Sequence, residues 1–225
     1  MGEMITITAQ DGVTLSAYQA MPEGAPRGGI ILLQEIFGVN QHIREVCDSF
    51  ARDGFHIIAP ALFDAAERDV ALEYNPAGKE AGLALKKAVD GRAIDDITSW
   101  LGQFGEGLKI AVIGYCWGGS LAWRMACSGT PISAPISAAI SYYGGELPAR
   151  KEAQANVPVM AHFGTQDASI PMAGVTEFQQ AQSEVICHIY EADHGFNCDH
   201  RPQYHKEAAT LARQRTDDFL KTYLG

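Results

Sequence analysis

The sequence has no apolar run near the ~18 residues that a membrane-crossing helix needs. Its first residues, MGEMITITAQDG, carry an early acid and no apolar core, so they do not read as a secretory leader. Basic residues are scarce: 17 Lys plus Arg against 27 Asp plus Glu give a formal charge of −10. Nucleic acid and anionic membranes both call for a basic face, so neither is expected as the main partner. The five cysteines, at 47, 116, 127, 187 and 198, are odd in number and include no C-x-x-C pair. They read as free thiols in a reducing compartment, and the cytoplasm is the expected location. Internal repeats, low-complexity tracts and a convincing Pro/Gly/Ser linker are also missing, so residues 1–225 are expected to form a single domain.

What remains is the composition of a soluble globular protein: 225 residues, 47% apolar and 20% charged. A chain of this length can bury ~70% of its unfolded surface without disulfides. Residues 4–9 and 13–20 flank Asp11-Gly12, a hairpin signal. Continuous apolar runs at 30–33, 55–59 and 109–113 read as strands buried on both faces. Residues 137–142, 157–163 and 185–190 read as further strands. Asn40 can cap a helix ending near Asp53, with Gly54 just beyond. Helical patterns follow from about Glu80, at Ile94, Ile97, Thr98 and Leu101, at 117–127, at 174–183 and at 204–223. In the last, Leu211, Arg215, Phe219 and Leu220 fall in step. Residues 61–78 are the least legible and are taken as a long surface loop. After the opening hairpin, strands alternate with helices, the pattern of an α/β fold with a mostly parallel sheet of about eight strands and helices on both faces.

The chemistry concentrates in Gly114-Tyr115-Cys116-Trp117-Gly118-Gly119, between an apolar strand and a helix. The form is G-x-nucleophile-x-G with cysteine for serine. A strand turning sharply into a helix exposes the turn residue, and flanking small residues let backbones approach. The thiol then sits at a helix N-terminus, which favours negative charge, and the Trp117 N–H points toward a forming oxyanion. The plainer alternative is a glycine-rich turn around an inert cysteine. Position favours chemistry: Asp167 follows strand 157–163 and His194 follows strand 185–190. Nucleophile, acid, base is the chain order of α/β-hydrolases, with each group at the C-terminal end of a strand. Asp193 is the rival acid, poorly placed to orient its own neighbour's ring. His194, Cys198, His200 and His205 cluster but match no standard zinc spacing, so no metal is expected.

With these residues, the chain resembles the dienelactone hydrolase family, the carboxymethylenebutenolidases, over essentially its whole length. The resemblance is carried by Gln34-Glu35-Ile36-Phe37-Gly38-Val39-Asn40, the Cys116 turn, Asp167 and His194-Gly195-Phe196. It implies that Cys116 is the nucleophile, His194 the general base and Asp167 the orienting acid. It implies that Glu35 keeps the thiol protonated until substrate displaces it. It also implies that the Ile36 and Trp117 N–H groups form the oxyanion hole. Read from the residues alone, Glu35 is a half-buried acid after a strand, served by a thiol, an arginine or backbone N–H, or an ordinary helix-entry acid. Phe37 and Trp117 are expected pocket walls.

Family members that hydrolyse a carboxylated dienelactone hold the carboxylate with arginines. Here the first arginine after His194 is Arg201, and Arg68 is a possible second anchor; both are otherwise plain surface charges. The expected activity is hydrolysis of an activated ester or lactone through a thioester acyl-enzyme, with no metal or organic cofactor. A general carboxylesterase or thioesterase is the alternative, and a non-catalytic thiol-sensing or binding protein is a rival of another class. The partner is a small-molecule ester or lactone. Oligomeric state is not legible, and a monomer is the default.

Overall fold

The computed structural model describes residues 2–128 and 136–225. Among these, residues 2–110 make one compact unit, and residues 111–128 with 136–225 make another. The eight strands are ordered β1-β2-β4-β3-β5-β6-β7-β8, mostly parallel, as the alternating pattern predicts.

In the first unit, β1 (Glu3–Thr8) and β2 (Thr14–Ala20) form an antiparallel hairpin from Glu3 opposite Gln19 to Thr8 opposite Thr14. Gly12 closes its turn at φ 84°, in the left-handed region glycine tolerates best. β2 pairs antiparallel with β4 (His56–Pro60), and β4 pairs parallel with β3 (Gly29–Leu33). Every residue of β3 and β4 is buried. Each fully buried Ile or Leu there contributes about 1.5–3 kcal/mol, which is why these strands read as unbroken apolar runs. α1 (Gln41–Arg52) starts where Asn40 Oδ1 accepts the Ile43 N–H at 3.2 Å and stops before Gly54 at φ 97°.

Residues 65–75 form the expected surface loop, but the stretch 61–78 is anchored inward at its start and becomes helical at its end. Leu62 and Phe63 are buried, and the Asp64 carboxylate accepts the Ser16 N–H of β2 at 2.6 Å. α2 (Pro76–Val89) begins earlier than the pattern suggests. Asn75 caps it through the Gly78 N–H at 2.8 Å, and Pro76 occupies the first turn, where its missing N–H costs nothing. The next expected helical face splits into α3 (Ala93–Ser99) and a single 3-10 turn over Leu101–Gln103.

The second unit is parallel throughout: β5 (Ile110–Tyr115), β6 (Ala138–Tyr142), β7 (Val159–Gly164) and β8 (Ile186–Tyr190). Its helices are α4 (Trp117–Cys127), α5 (Met172–Ala181) and α6 (Lys206–Tyr223). In α6 the buried stripe is Ala208, Ala212, Thr216, Phe219 and Leu220. Leu211 lies one residue off that stripe and is exposed, contrary to the sequence reading. All five cysteines are free. Cys47 is fully buried, while Cys127 and Cys187 are half-buried. Burial pushes the Cys127 and Cys187 thiols up to about 11, so neither is an activated nucleophile.

Candidate active site

Cys116 stands between β5 and α4 at φ 55° and ψ −113°, a conformation that disfavours any side chain. The turn is held by backbone bonds on both sides. The Cys116 N–H donates to the Tyr142 carbonyl at 2.9 Å, and its own carbonyl accepts the Ser120 N–H at 3.1 Å. The flanking glycines are required by space rather than flexibility. A Cβ on Gly114 would fall 1.9 Å from the Gly118 oxygen, and one on Gly119 would fall 2.6 Å from the Tyr142 oxygen. The half-buried thiol thus sits at the start of α4, whose first amides, that of Trp117 included, have no acceptor within the helix.

Asp167 and His194 meet across the ends of β7 and β8. Asp167 Oδ2 is 2.6 Å from His194 Nδ1, and Asp167 Oδ1 accepts the Ser169 N–H at 2.8 Å. The Asp167 carboxylate is fully shielded from solvent, while the His194 side chain keeps 18% exposure. Asp193 is used otherwise: its Oδ1 accepts the His194 backbone N–H at 2.6 Å. Burial is the largest influence on the His194 imidazole and pushes its pKa down. Hydrogen bonds to Asp167 and to Cys116, with the charges of both, outweigh burial and raise it to about 10. The ring therefore bridges carboxylate and thiol and holds a proton at neutral pH.

Gln34, Glu35, Ile36 and Phe37 follow β3 in the first unit. Glu35 is fully buried. The Gln34 side chain fixes this segment: its Oε1 accepts the Leu62 N–H at 3.2 Å, and its Nε2 donates to the Glu35 carbonyl at 3.3 Å. Gly82 of α2 packs so tightly on the Ile36 carbonyl that a Cβ there would lie 1.9 Å from the oxygen. Phe37 is buried with its ring 4.6 Å from that of Tyr74. Arg68 is exposed, and its guanidinium donates to the Thr14 carbonyl at 2.9 Å. Trp117 is buried, so its indole adds little to a solvent-facing wall.

A model of the dienelactone hydrolase family matches residues 15–224. The chain belongs to the dienelactone hydrolase family. It is 31% identical to the carboxymethylenebutenolidase of Pseudomonas putida, covering 97% of this chain and 95% of that one. It is 33% identical to a Yersinia pestis protein named "Putative carboxymethylenebutenolidase", covering 96% of this chain and 86% of that one. A crystal structure of a "Putative Dienelactone Hydrolase" from Klebsiella pneumoniae superposes with a TM-score of 0.77 at 28% identity, covering 100% of this chain and 98% of that one. The fold is thus that of the α/β-hydrolases, and the activity class is dienelactone hydrolase-like ester or lactone hydrolysis. No helix among the described residues is long and apolar enough to cross a membrane.

Two further neighbours of the His194 loop bear on this dienelactone hydrolase family member, and one of them, Arg201, is the arginine expected near the substrate. Tyr143, just past β6, has φ 40°, and its buried ring lies 5.0 Å from that of His194 and 5.5 Å from that of Phe196. Only the tyrosine pair 142–143 at a strand end hinted at it. Arg201 folds back on the His194 loop: a Cβ on Gly195 would lie 2.5 Å from its Nη1. Gly195 is thereby explained by its φ of 80° and by this guanidinium.

Proposed function

We propose that this chain hydrolyses an activated ester or lactone of the dienelactone type through Cys116, His194 and Asp167. The observation that carries the reading is the His194 ring 2.6 Å from Asp167, with Cys116 near enough to help raise the pKa of the same ring. The proton that the His194 ring holds, with its pKa raised to about 10, is the one the Cys116 thiol gives up, which leaves a thiolate beside an imidazolium. The thiolate attacks the carbonyl carbon, and the negative charge moves to the carbonyl oxygen. The Trp117 N–H at the start of α4 supports that charge, and the family resemblance adds the Ile36 N–H. As the tetrahedral intermediate collapses, the C–O bond to the leaving group breaks and His194 gives it the proton. His194 then takes a proton from water as the water oxygen attacks the thioester. Collapse expels the Cys116 thiolate and frees the acid. Asp167 orients the ring and stabilises its charge throughout. Arg201, packed against Gly195, is suited to hold a substrate carboxylate near the reacting carbonyl. No metal or organic cofactor enters these steps, and a small molecule is the only partner required.

A thiolate is a strong nucleophile and a good leaving group, which suits enol esters and lactones better than amides. The test is multiple-turnover hydrolysis of a carboxylated dienelactone beside a neutral aryl ester, with wild type and Cys116→Ala. Cys116-dependent turnover favouring the dienelactone is expected. Turnover of the neutral ester alone moves the assignment to a general esterase or thioesterase. One acyl equivalent per thiol and no more supports a thiol sensor, and turnover by Cys116→Ala removes Cys116 from the mechanism.

A further inference from the structure

A chain of buried side-chain hydrogen bonds lies against the residues that carry the proposed triad. The Tyr142 and Thr216 hydroxyls are 2.7 Å apart, Thr216 Oγ1 is 3.2 Å from His162 Nε2, and His162 Nδ1 is 2.8 Å from the Tyr190 hydroxyl. Thr216 and His162 have no exposed surface, Tyr142 has 1% and Tyr190 has 6%. The Tyr142 ring also stacks on the His162 ring at 4.4 Å. Burial holds His162 well below the usual imidazole range, so the ring is neutral, with one donor and one acceptor.

Proton accounting fixes a direction. Tyr142 donates to Thr216, Thr216 donates to His162 Nε2, and His162 Nδ1–H donates to Tyr190. Every proton in the fully enclosed part then has an acceptor. The one left over falls on Tyr190, the most exposed member of the four. The reversed direction strands the Tyr142 proton, and a buried donor with no acceptor is destabilising.

The backbones of the same residues hold the reacting groups. The Tyr142 carbonyl takes the Cys116 N–H at 2.9 Å. The His162 carbonyl takes the N–H of Tyr143, whose ring packs on His194, at 2.8 Å. The Tyr190 carbonyl takes the Thr165 and Ala192 N–H groups at 2.8 and 2.9 Å, each two residues before Asp167 and His194 respectively. β6, β7 and β8 are thus linked in series, β6 to β7 through the Thr216 hydroxyl of α6 and β7 to β8 through the His162–Tyr190 bond.

We propose that Thr216 is a positioning residue for the reaction, acting through Tyr142 and His162 on the mutual placement of Cys116 and His194. The proposal rests on the triad reading above. Thr216→Val keeps the shape and removes the hydroxyl. Because small misplacements of reacting atoms are costly, kcat on an aryl ester is expected to fall about 10- to 100-fold with KM within about twofold. Alkylation of Cys116 by iodoacetamide is expected to slow in parallel, and Thr216→Ser is expected to restore both to within about threefold. Tyr142→Phe, which removes one of the same bonds, serves as the second variant if Thr216→Val does not fold. A folded variant with wild-type kcat and alkylation rate, altered only in melting temperature, overturns the proposal. The alkylation arm decides it independently of turnover. Activity surviving in Cys116→Ala sinks the triad reading, whereas an essential Cys116 with an indifferent Thr216→Val sinks this proposal alone.

Discussion

His194 takes its ring partner from Asp167, 27 positions earlier in the chain, at 2.6 Å. Its immediate neighbour Asp193 binds only its backbone N–H. The two acids are therefore separable by mutation. Asp167→Asn is expected to lower kcat by about 10²–10⁴, because the amide can hold the ring in the wrong tautomer and supplies no charge. Asp193→Asn is expected to cost less than about tenfold, since it loosens a loop bond and leaves the ring partner in place. Steady-state kinetics on one ester, with both variants side by side, checks the contrast.

The raised His194 pKa has a consequence for stability. The folded chain holds this proton to about pH 10, whereas an unfolded histidine releases it near ~6.5. Between these values the folded ring binds more protons than the unfolded one, so its contribution to stability falls as pH rises. The contribution is complete below pH ~6.5 and is lost by about pH 10. Urea midpoints measured from pH 6 to 10 should fall in wild type and fall less in Asp167→Asn. Equal slopes in the two proteins would contradict the assignment.

The backbone of Cys116 stores strain at φ 55° and ψ −113°. Cys116→Gly removes the Cβ that this conformation disfavours, so it should be more stable than Cys116→Ala by about 1 kcal/mol and unfold at a higher temperature. Both variants lose the thiol and should lose turnover. A melting temperature for Gly at or below that of Ala would show that the turn is unstrained.

Gly114→Ala is expected to damage fold and activity together. The new methyl meets the Gly118 backbone oxygen at 1.9 Å, and no side chain can swing away to relieve it. A loss of 3 kcal/mol or more, on the order of the larger core substitutions, should appear as poor soluble yield or a sharply lowered melting temperature.

Glu35→Gln tests the gating role that the family resemblance assigns to this buried acid. If the carboxylate restrains the thiol, the amide should change the rate of Cys116 alkylation across pH 5–9 at least several-fold relative to wild type. An unchanged profile leaves Glu35 a structural acid.

The strands were legible because each buried strand is an apolar run bounded by glycine or proline, and the Cys116 turn was legible because its glycines are forced by backbone contacts. The helical pattern from about Glu80 begins later than α2 itself, whose start Asn75 and Pro76 mark. Their signal lies inside a stretch whose burial comes from distant partners: Asp64 answers to Ser16, 48 residues away. Leu211 falls in step with Phe219 and Leu220, but helical spacing alone does not say which stripe meets the sheet, and small Ala208 and Ala212 do. The hydrogen-bond chain through Thr216 spans separations of 28, 54 and 74 residues, so no local pattern could show it.

Gly164 brings a last consequence. A Cβ there would meet the Ala192 oxygen at 2.2 Å, and the same oxygen takes the Gln166 N–H at 3.0 Å. The segments bearing Asp167 and His194 are therefore clasped backbone to backbone, and the two groups move as one part. Directed evolution toward new substrates should find few survivors among changes at Gly164 and Ala192. An exposed position off the clasp, such as Glu191, can vary while the machinery keeps its alignment.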